Sequence, residues 1–386
     1  MLKRDLEKEI KLSAKMFPVI AILGPRQSGK TTLAQYCFKK YNYVSLEDLD
    51  QRKFAHEDPR LFLEKKINKY GIILDEIQFA PDLLSYIKTY VDKSKKQGEI
   101  IITGSQNFLL NESISQSLAG RVAIMTLLPL SIKEFKRNKI LPKNVESILI
   151  SGSYPKIADK KVTAEKWYPS YVKTYIERDV RSLKNIGDVT TFQHFLKLCA
   201  GRVGQVLNLS SLSNDCGIDV KTAKSWLSIL EQCYILFLLQ PYYKNFSKRL
   251  IKSPKLYFYD SGLLCHLLGV EDEEHLMGHS SRGNIFESFV ISEIIKSFYN
   301  RDKVPNIYFW RDSAGNEIDC LIEKGQKLIP IEIKAGKTIN SSFFDNLQSW
   351  CELTKIDPKN SYLVYAGNES QTRSISNIVA WSDLKF

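Results

Sequence analysis

Residues 19–32 read VIAILGPRQSGKTT, and the reading of the whole chain turns on them. Five apolar residues in a row have the length and composition of a buried strand. Gly24-Pro25-Arg26-Gln27-Ser28-Gly29-Lys30-Thr31 follows, fits G-x-x-x-x-G-K-[ST], and runs on into Thr32. Glycines let backbone N–H groups curl around phosphate oxygens, and a helix starting there adds positive potential. Lys30 has the reach for the β- and γ-phosphates, and the Thr31 hydroxyl is a ligand for Mg²⁺. Residues 24–32 are therefore expected to bind a nucleotide between a strand at 19–23 and a helix at 31–40.

Working outward, Gly71-Ile72-Ile73-Leu74-Asp75-Glu76 is an apolar strand that ends in two carboxylates. Asp75 is expected to hold the Mg²⁺ shell, as in a Walker B element. Glu76 is expected to orient or deprotonate the attacking water, which points to hydrolysis rather than transfer to a second substrate. The next strand ends Ile102-Thr103-Gly104-Ser105-Gln106. Ser105 is the first choice for a γ-phosphate sensor and Thr103 the second. Arg121, in SLAGR at 117–121, is a candidate arginine finger, in cis or from a neighbouring subunit. Further short apolar runs at 43–46, 100–103 and 122–127, alternating with helical patterns, predict a parallel sheet covered on both faces.

GPRQSGKTT, the SLEDLD…DP stretch at 45–59, LDEIQ, TGSQ and SLAGR together resemble the AAA-type ATPases of bacteria and archaea that carry a C-terminal DUF4143 region. The resemblance continues in Gly152-Ser153-Tyr154-Pro155, like that family's GG[FY]P with Ser153 in place of the second glycine. It continues again in Tyr175-Ile176-Glu177-Arg178-Asp179-Val180, like Y-x-E-R-D. It covers nearly the whole chain and implies an ATPase. ATP rather than GTP also follows from the resemblance; no guanine-reading N-K-x-D is present.

The middle of the chain has a different character. Residues 192–201, a segment starting near Asn208, and 219–232 read as three helices, and 234–243 and 255–260 as strands. Helix–helix–helix–hairpin is the outline of a winged helix. Lys244, Lys248, Arg249, Lys252 and Lys255 lie between or at the start of the strands with no acidic residue among them, and Lys221 and Lys224 lie on the third helix. Such a basic wing suits a DNA phosphate backbone; a domain spacer with a solvated loop is the alternative.

Near the C-terminus, Glu317-Ile318-Asp319-Cys320-Leu321-Ile322 leads through Lys324-Gly325 into Ile329-Pro330-Ile331-Glu332-Ile333-Lys334. Strand alternation puts Glu332 and Lys334 on one face, with Asp319 on the neighbouring strand. Two carboxylates and a lysine so placed suit metal-assisted phosphodiester cleavage: Asp319 and Glu332 as Mg²⁺ ligands, and Lys334 as the group that positions water or stabilises charge. This is the D-x(n)-E-x-K pattern of the restriction-endonuclease-like fold. Glu287, on a helix at 285–298, resembles the extra acidic residue of such folds. Cleavage, binding without cleavage and a structural role all remain open at this stage.

The expected architecture is thus α/β in three parts: a P-loop, AAA-like ATPase domain with a parallel sheet (1–160), a helical linker and winged helix (161–275), and a restriction-endonuclease-like domain (276–386). ATP and Mg²⁺ are the expected cofactors and DNA the expected macromolecular partner. The 386 residues carry a net charge of +12, which suits an anionic partner. Seven cysteines without a CxxC spacing argue against a zinc ribbon or a disulfide framework. The opening MLKRDLEKEIK has no apolar core, so no secretory signal is expected, and no apolar run is long enough to span a bilayer. A cytoplasmic protein is the expectation; the oligomeric state is not readable.

Overall fold

The computed structural model describes residues 1–105, 114, 116–176, 189–242 and 252–386. The chain divides into two compact units. The first comprises Met1–Leu130 with Gln232–Tyr234 and Phe298–Lys303; the second comprises Ser131–Glu231, Ile235–Ser297 and Val304–Phe386. The expected divisions near residues 160 and 275 both fall inside the second unit.

In the first unit, β1 (Val19–Gly24) is buried along its whole length. Val19, Ala21 and Leu23 enter one apolar core, and Ile20 and Ile22 enter another on the opposite face. This period-two split is why an unbroken apolar run forms a strand here: both faces are covered. The same split recurs in β3 (Ile72–Asp75) and β4 (Ile100–Ser105). With β2 (Asn42–Ser45) and β5 (Val122–Thr126) they form a five-stranded sheet in the order β2-β3-β4-β1-β5. Every pairing is parallel, as expected from the sequence. Parallel strands end on one edge of a sheet, and the register sets Gly24 beside Ser105 and Ser45 beside Asp75 there.

The second unit contains helices Val189–Ala200, Leu209–Cys216 and Val220–Gln232. Asn208 caps the second of them by accepting from Ser211 N. Strands β6 (Leu236–Leu239) and β7 (Lys255–Phe258) pair antiparallel after them. Lys244, Lys248 and Arg249 lie outside the described residues, as does 177–188, which holds most of the Y-x-E-R-D element. Lys221, Lys224 and Lys252 are exposed. Lys255 departs from expectation: it is 3% exposed and ion-paired, so it is no part of a solvent-facing wing.

A mixed six-stranded sheet completes the unit: β8 (Ile307–Arg311), β9 (Glu317–Lys324), β10 (Lys327–Lys334), β11 (Tyr362–Tyr365), β12 (Gln371–Thr372) and β13 (Asn377–Ala380), in the order β12-β13-β11-β10-β9-β8. The turn at Lys324-Gly325 joins β9 and β10 as an antiparallel hairpin. Helix Asp345–Thr354 contributes Leu347 and Trp350 to a core shared with Trp310, Ile318 and Leu363.

The structure explains the glycine and serine of the GSYP stretch. Gly152 has φ 68°, and a Cβ there would lie 2.0 Å from the Tyr168 hydroxyl. Ser153 donates through its N and Oγ to the buried Asp260, both at 2.8 Å, and its Oγ accepts from Lys296 Nζ at 3.0 Å. The Ser153 hydroxyl is built into a buried polar network.

All seven cysteines are free thiols. No described helix is long and apolar enough to cross a membrane.

Candidate functional site

The stretch expected to bind phosphate, residues 24–32, is shaped by its backbone. Gly24 has φ 148°, and a Cβ on it would stand 2.2 Å from the Leu127 carbonyl oxygen. Gly29, with φ 96°, caps helix Lys30–Cys37, and Gln27 adopts φ 61° between them. Such left-handed residues hold successive N–H groups on the inner side of a curl, the geometry of an anion nest. Lys30 is buried and donates to the carbonyls of Gly24 (3.1 Å) and Pro25 (2.9 Å). From behind, Arg4 donates to the Ser28 carbonyl at 2.7 Å and to that of Leu128 at 2.5 Å, fastening the loop to its own sheet. Ser28 Oγ is buried with no hydrogen-bond partner among the described residues.

Asp75 ends β3 directly beside this loop. Its Oδ1 accepts from Thr31 Oγ1 at 2.7 Å and from the Thr103 hydroxyl, and its Oδ2 accepts from Tyr43 Oη at 2.9 Å. Burial and the neighbouring Asp75 push the Tyr43 phenol up to about 12, so it stays a donor. A hydroxyl and a carboxylate meeting at a strand end form a hard-oxygen donor set that fits Mg²⁺. Thr103 is fully buried behind Asp75, which suits a support for that carboxylate better than a phosphate sensor.

Glu76 has φ 56° and ψ 51°, a costly conformation for a non-glycine residue. Its Oε2 accepts from the Gln78 side-chain amide and from Ser105 N at 3.4 Å. The same Gln78 amide lies 3.1 Å from Ser105 Oγ. Glu76, Gln78 and Ser105 thus form one small network at the loop edge of the sheet. Gln78 Oε1 is buried and has no hydrogen-bond partner among the described residues.

Arg121 is not brought to this place. It immediately precedes β5, whose Val122 pairs with Val19 at the start of β1. Five residues of strand, about 16 Å at ~3.3 Å per residue, separate that edge from Gly24. Arg121 also forms a two-pronged pair with Asp92, at 2.6 and 3.0 Å. A role as arginine finger for its own chain's nucleotide is excluded by the direction of the strand.

In the second unit, Glu287, Glu317 and Asp319 offer carboxylate oxygens within 4.8 Å of one another. Lys255 Nζ pairs with Glu287 at 3.2 Å and, more closely, with Glu317. Tyr257 Oη donates to Glu287, Arg311 stands 3.4 Å from Glu317, and Ile333 N donates to Asp319 at 2.7 Å. Glu332 is 1% exposed; its Oε1 accepts from Lys334 (2.6 Å) and Asn346 (2.9 Å). Its Oε2 is buried with no hydrogen-bond partner among the described residues. Burial, and then the Asp319 charge, push Glu287 up to about 7 and Glu332 up to about 8. Burial likewise raises Asp319. On Lys334, burial opposes the charge, but Asp319 and Glu332 outweigh it and its pKa is raised. Dense buried carboxylate with an unmatched oxygen is the environment that a divalent cation neutralises.

Three family models match successive stretches of the chain. Residues 16–136 match the family described as an AAA domain, and 282–384 match DUF4143, a domain of unknown function. The chain joins an AAA-type ATPase domain to a C-terminal DUF4143 region. Between them, 142–274 match a second domain of unknown function, DUF8612. An uncharacterized protein of Mycobacterium tuberculosis is 28% identical over 343 residues, spanning 87% of this chain and 74% of its own length. One from Haemophilus influenzae is 23% identical over 355 residues, with 84% of each chain covered. A Walker-type ATPase of Pyrococcus abyssi superposes with a TM-score of 0.48 at 15% identity, over 69% of this chain and 96% of its own.

Several residues around these sites escaped the sequence reading. Gln78 stood in the quoted LDEIQ, two positions from Glu76, but a short turn carries no periodicity that shows where a side chain lands. Glu317 was legible: it sits two residues before Asp319 on a strand and so shares its face. Lys255, Tyr257 and Asn346 had no local signal, because they arrive from other elements.

Proposed function

We propose that the first unit binds ATP with Mg²⁺ on residues 24–32 and hydrolyses it. Lys30 holds the β- and γ-phosphates, while Thr31 and Asp75 hold the metal. Glu76 takes the proton of the attacking water, and Ser105 lies against the γ-phosphate. The observation that carries this is the joining of Thr31 to Asp75 at 2.7 Å, with Glu76 held over Ser105 by Gln78. Bound Mg²⁺ would supply charge neutralisation for the phosphates. Steady-state ATP turnover of the wild type, Lys30→Ala and Glu76→Gln tests it: no turnover by the wild type rejects the reading.

For the second unit, we propose a nucleic-acid-directed module: residues 161–275 contribute a winged helix that contacts DNA, and 276–386 a nuclease-like domain. Asp319 and Glu332, with Glu287, would hold a divalent cation, and Lys334 would position the nucleophilic water. Glu332's unmatched buried oxygen supports this. Cleavage of single- and double-stranded DNA with Mg²⁺ or Mn²⁺, with and without ATP, and in Lys30→Ala and Lys334→Ala, is the test.

A second reading, a nucleotide-gated switch that cleaves nothing, is favoured by one observation. The Lys255 ammonium pairs with two of the three clustered carboxylates, doing the neutralising that a metal would otherwise do. ATP turnover with no cleavage by the wild type under any metal condition selects this reading.

A further inference from the structure

The edge of the ATPase sheet opposite the nucleotide loop is where all five strands begin. Four of the loops entering there bring lysines to one surface: Lys15 before β1, Lys39 and Lys40 before β2, Lys69 before β3, and Lys95 and Lys96 before β4. All six are exposed. The carboxylate within these loops is Glu99, which is buried and already faces Lys96 and Tyr90.

These loops are fastened to one another rather than free. Asn68 Nδ2 donates to the Lys40 carbonyl at 2.9 Å, tying the β3 loop to the β2 loop. Tyr41 Oη donates to the Gly98 carbonyl at 2.9 Å, tying β2 to β4. Gly98 N donates to the Phe17 carbonyl at 2.8 Å, tying β4 to β1. Gly98, at φ 66°, approaches so closely that a Cβ would meet the Ala14 carbonyl oxygen at 2.4 Å. The charges therefore stand on a fixed frame, and little ordering entropy remains to be lost on binding.

Two tyrosines complete the surface. Tyr36 is 37% and Tyr70 is 43% exposed. Lys39 Nζ lies 5.1 Å from the Tyr36 ring centre; Lys40 and Lys69 lie 5.2 and 5.1 Å from that of Tyr70. Open aromatic rings flanked by ammonium groups suit a polymer whose bases stack while its phosphates pair. Adjacent strands are ~4.8 Å apart, so the four loops span about 14 Å, or roughly four base steps of duplex rise at ~3.4 Å each.

We propose that this lysine- and tyrosine-bearing edge of the ATPase unit docks a nucleic-acid strand. The inference does not rest on the nuclease-like reading of the second unit, which concerns other residues. Charge complementarity, with stacking partners at hand, selects nucleic acid over a lipid surface. Met16 at 55% exposure is the one aliphatic side chain that these four loops project for insertion.

The test uses the full chain with fluorescein-labelled 30-mer DNA, single-stranded and duplex, followed by anisotropy over a salt series. The triple variant Lys39→Glu/Lys69→Glu/Lys95→Glu is expected to bind at least tenfold more weakly. Its log–log salt slope is expected to fall by about two to three units. ATP turnover serves as the folding control and is expected to be unchanged. Lys359→Glu, the same charge reversal at an exposed lysine of the second unit, is expected to keep the wild-type affinity, which separates this surface from a general effect of net charge. Wild-type affinity and slope in the triple variant would overturn the proposal. So would a wild type that binds no DNA, or one whose variant loses only binding to phosphatidylserine vesicles.

Discussion

Lys255 Nζ and Glu287 Oε1 lie 3.2 Å apart, at 4% and 13% side-chain exposure, although one residue starts a short strand and the other lies mid-helix. The same ammonium reaches Glu317, so one lysine draws two carboxylates of the cluster together. Its charge decides whether that cluster is a finished salt-bridge network or a cation site.

Removal of Lys255 separates these cases. Breaking a buried ion pair by deleting one partner typically costs about 3–5 kcal/mol. Lys255→Met is expected to lower the Tm of the second unit and to recover part of the loss on addition of Mn²⁺. Calorimetry with and without MnCl₂ checks this. An Mn²⁺ response no larger than that of the wild type would mean that the lysine and the metal do not compete.

The carboxylates give a pH dependence of definite sign. Glu287 and Glu332 have folded-state pKa values of about 7 and about 8, above the unfolded value of 4.5. Between those limits the folded chain binds more protons than the unfolded chain, so stability falls as pH rises. The contribution is complete below about pH 4.5 and is lost by about pH 8. Tm is expected to decline from pH 6 to pH 8.5, and Glu332→Gln is expected to flatten the decline. Divalent cations should raise Tm more at pH 8 than at pH 6. An unchanged slope in Glu332→Gln would move the effect to other groups.

For the ATPase site, Lys30→Ala is expected to abolish nucleotide binding and turnover together. Glu76→Gln should keep nucleotide affinity while kcat falls by about 10²-fold or more, the usual loss on removal of a general base. Equilibrium binding of a fluorescent ATP analogue, set beside turnover, distinguishes them. Collapse of affinity in Glu76→Gln would make that carboxylate a binding group.

Gln78→Leu tests the network around Glu76. A hydrogen bond to a charged group contributes roughly 1.5–3 kcal/mol, so kcat is expected to drop about tenfold with KM little changed. A pure KM effect would assign Gln78 to substrate binding.

Gly152→Ala should be among the more destabilising small substitutions in the second unit. It places a Cβ at 2.0 Å from Tyr168 Oη and 2.5 Å from Asp260 Oδ1, at a backbone φ of 68°. Urea denaturation is expected to show a loss of at least about 2 kcal/mol. Ser153→Gly should cost about 1 kcal/mol through its lost hydrogen bonds.

Much of this molecule was legible along the chain because the relevant physics is local. A buried strand needs an apolar run and the tight turn after it needs glycine, so residues 19–32 announce a strand, a glycine turn and a helix. Strand alternation is a period of two, so Glu332 and Lys334 fall together, with Asp319 opposite on the hairpin partner. The direction of a strand is not local in this sense. Arg121 follows the sensor-like TGSQ in sequence, yet it immediately precedes β5 and stands at the far edge of the sheet. Parallel pairing in the order β2-β3-β4-β1-β5 also gathers four lysine loops that look like separate solvated turns when read singly. Lys255 read as one more charge in a basic run; packing made it the buried counter-ion of Glu287 and Glu317. Periodicity reports which face of its own element a residue occupies, and only the packing of distant elements settles which charges come to share that face.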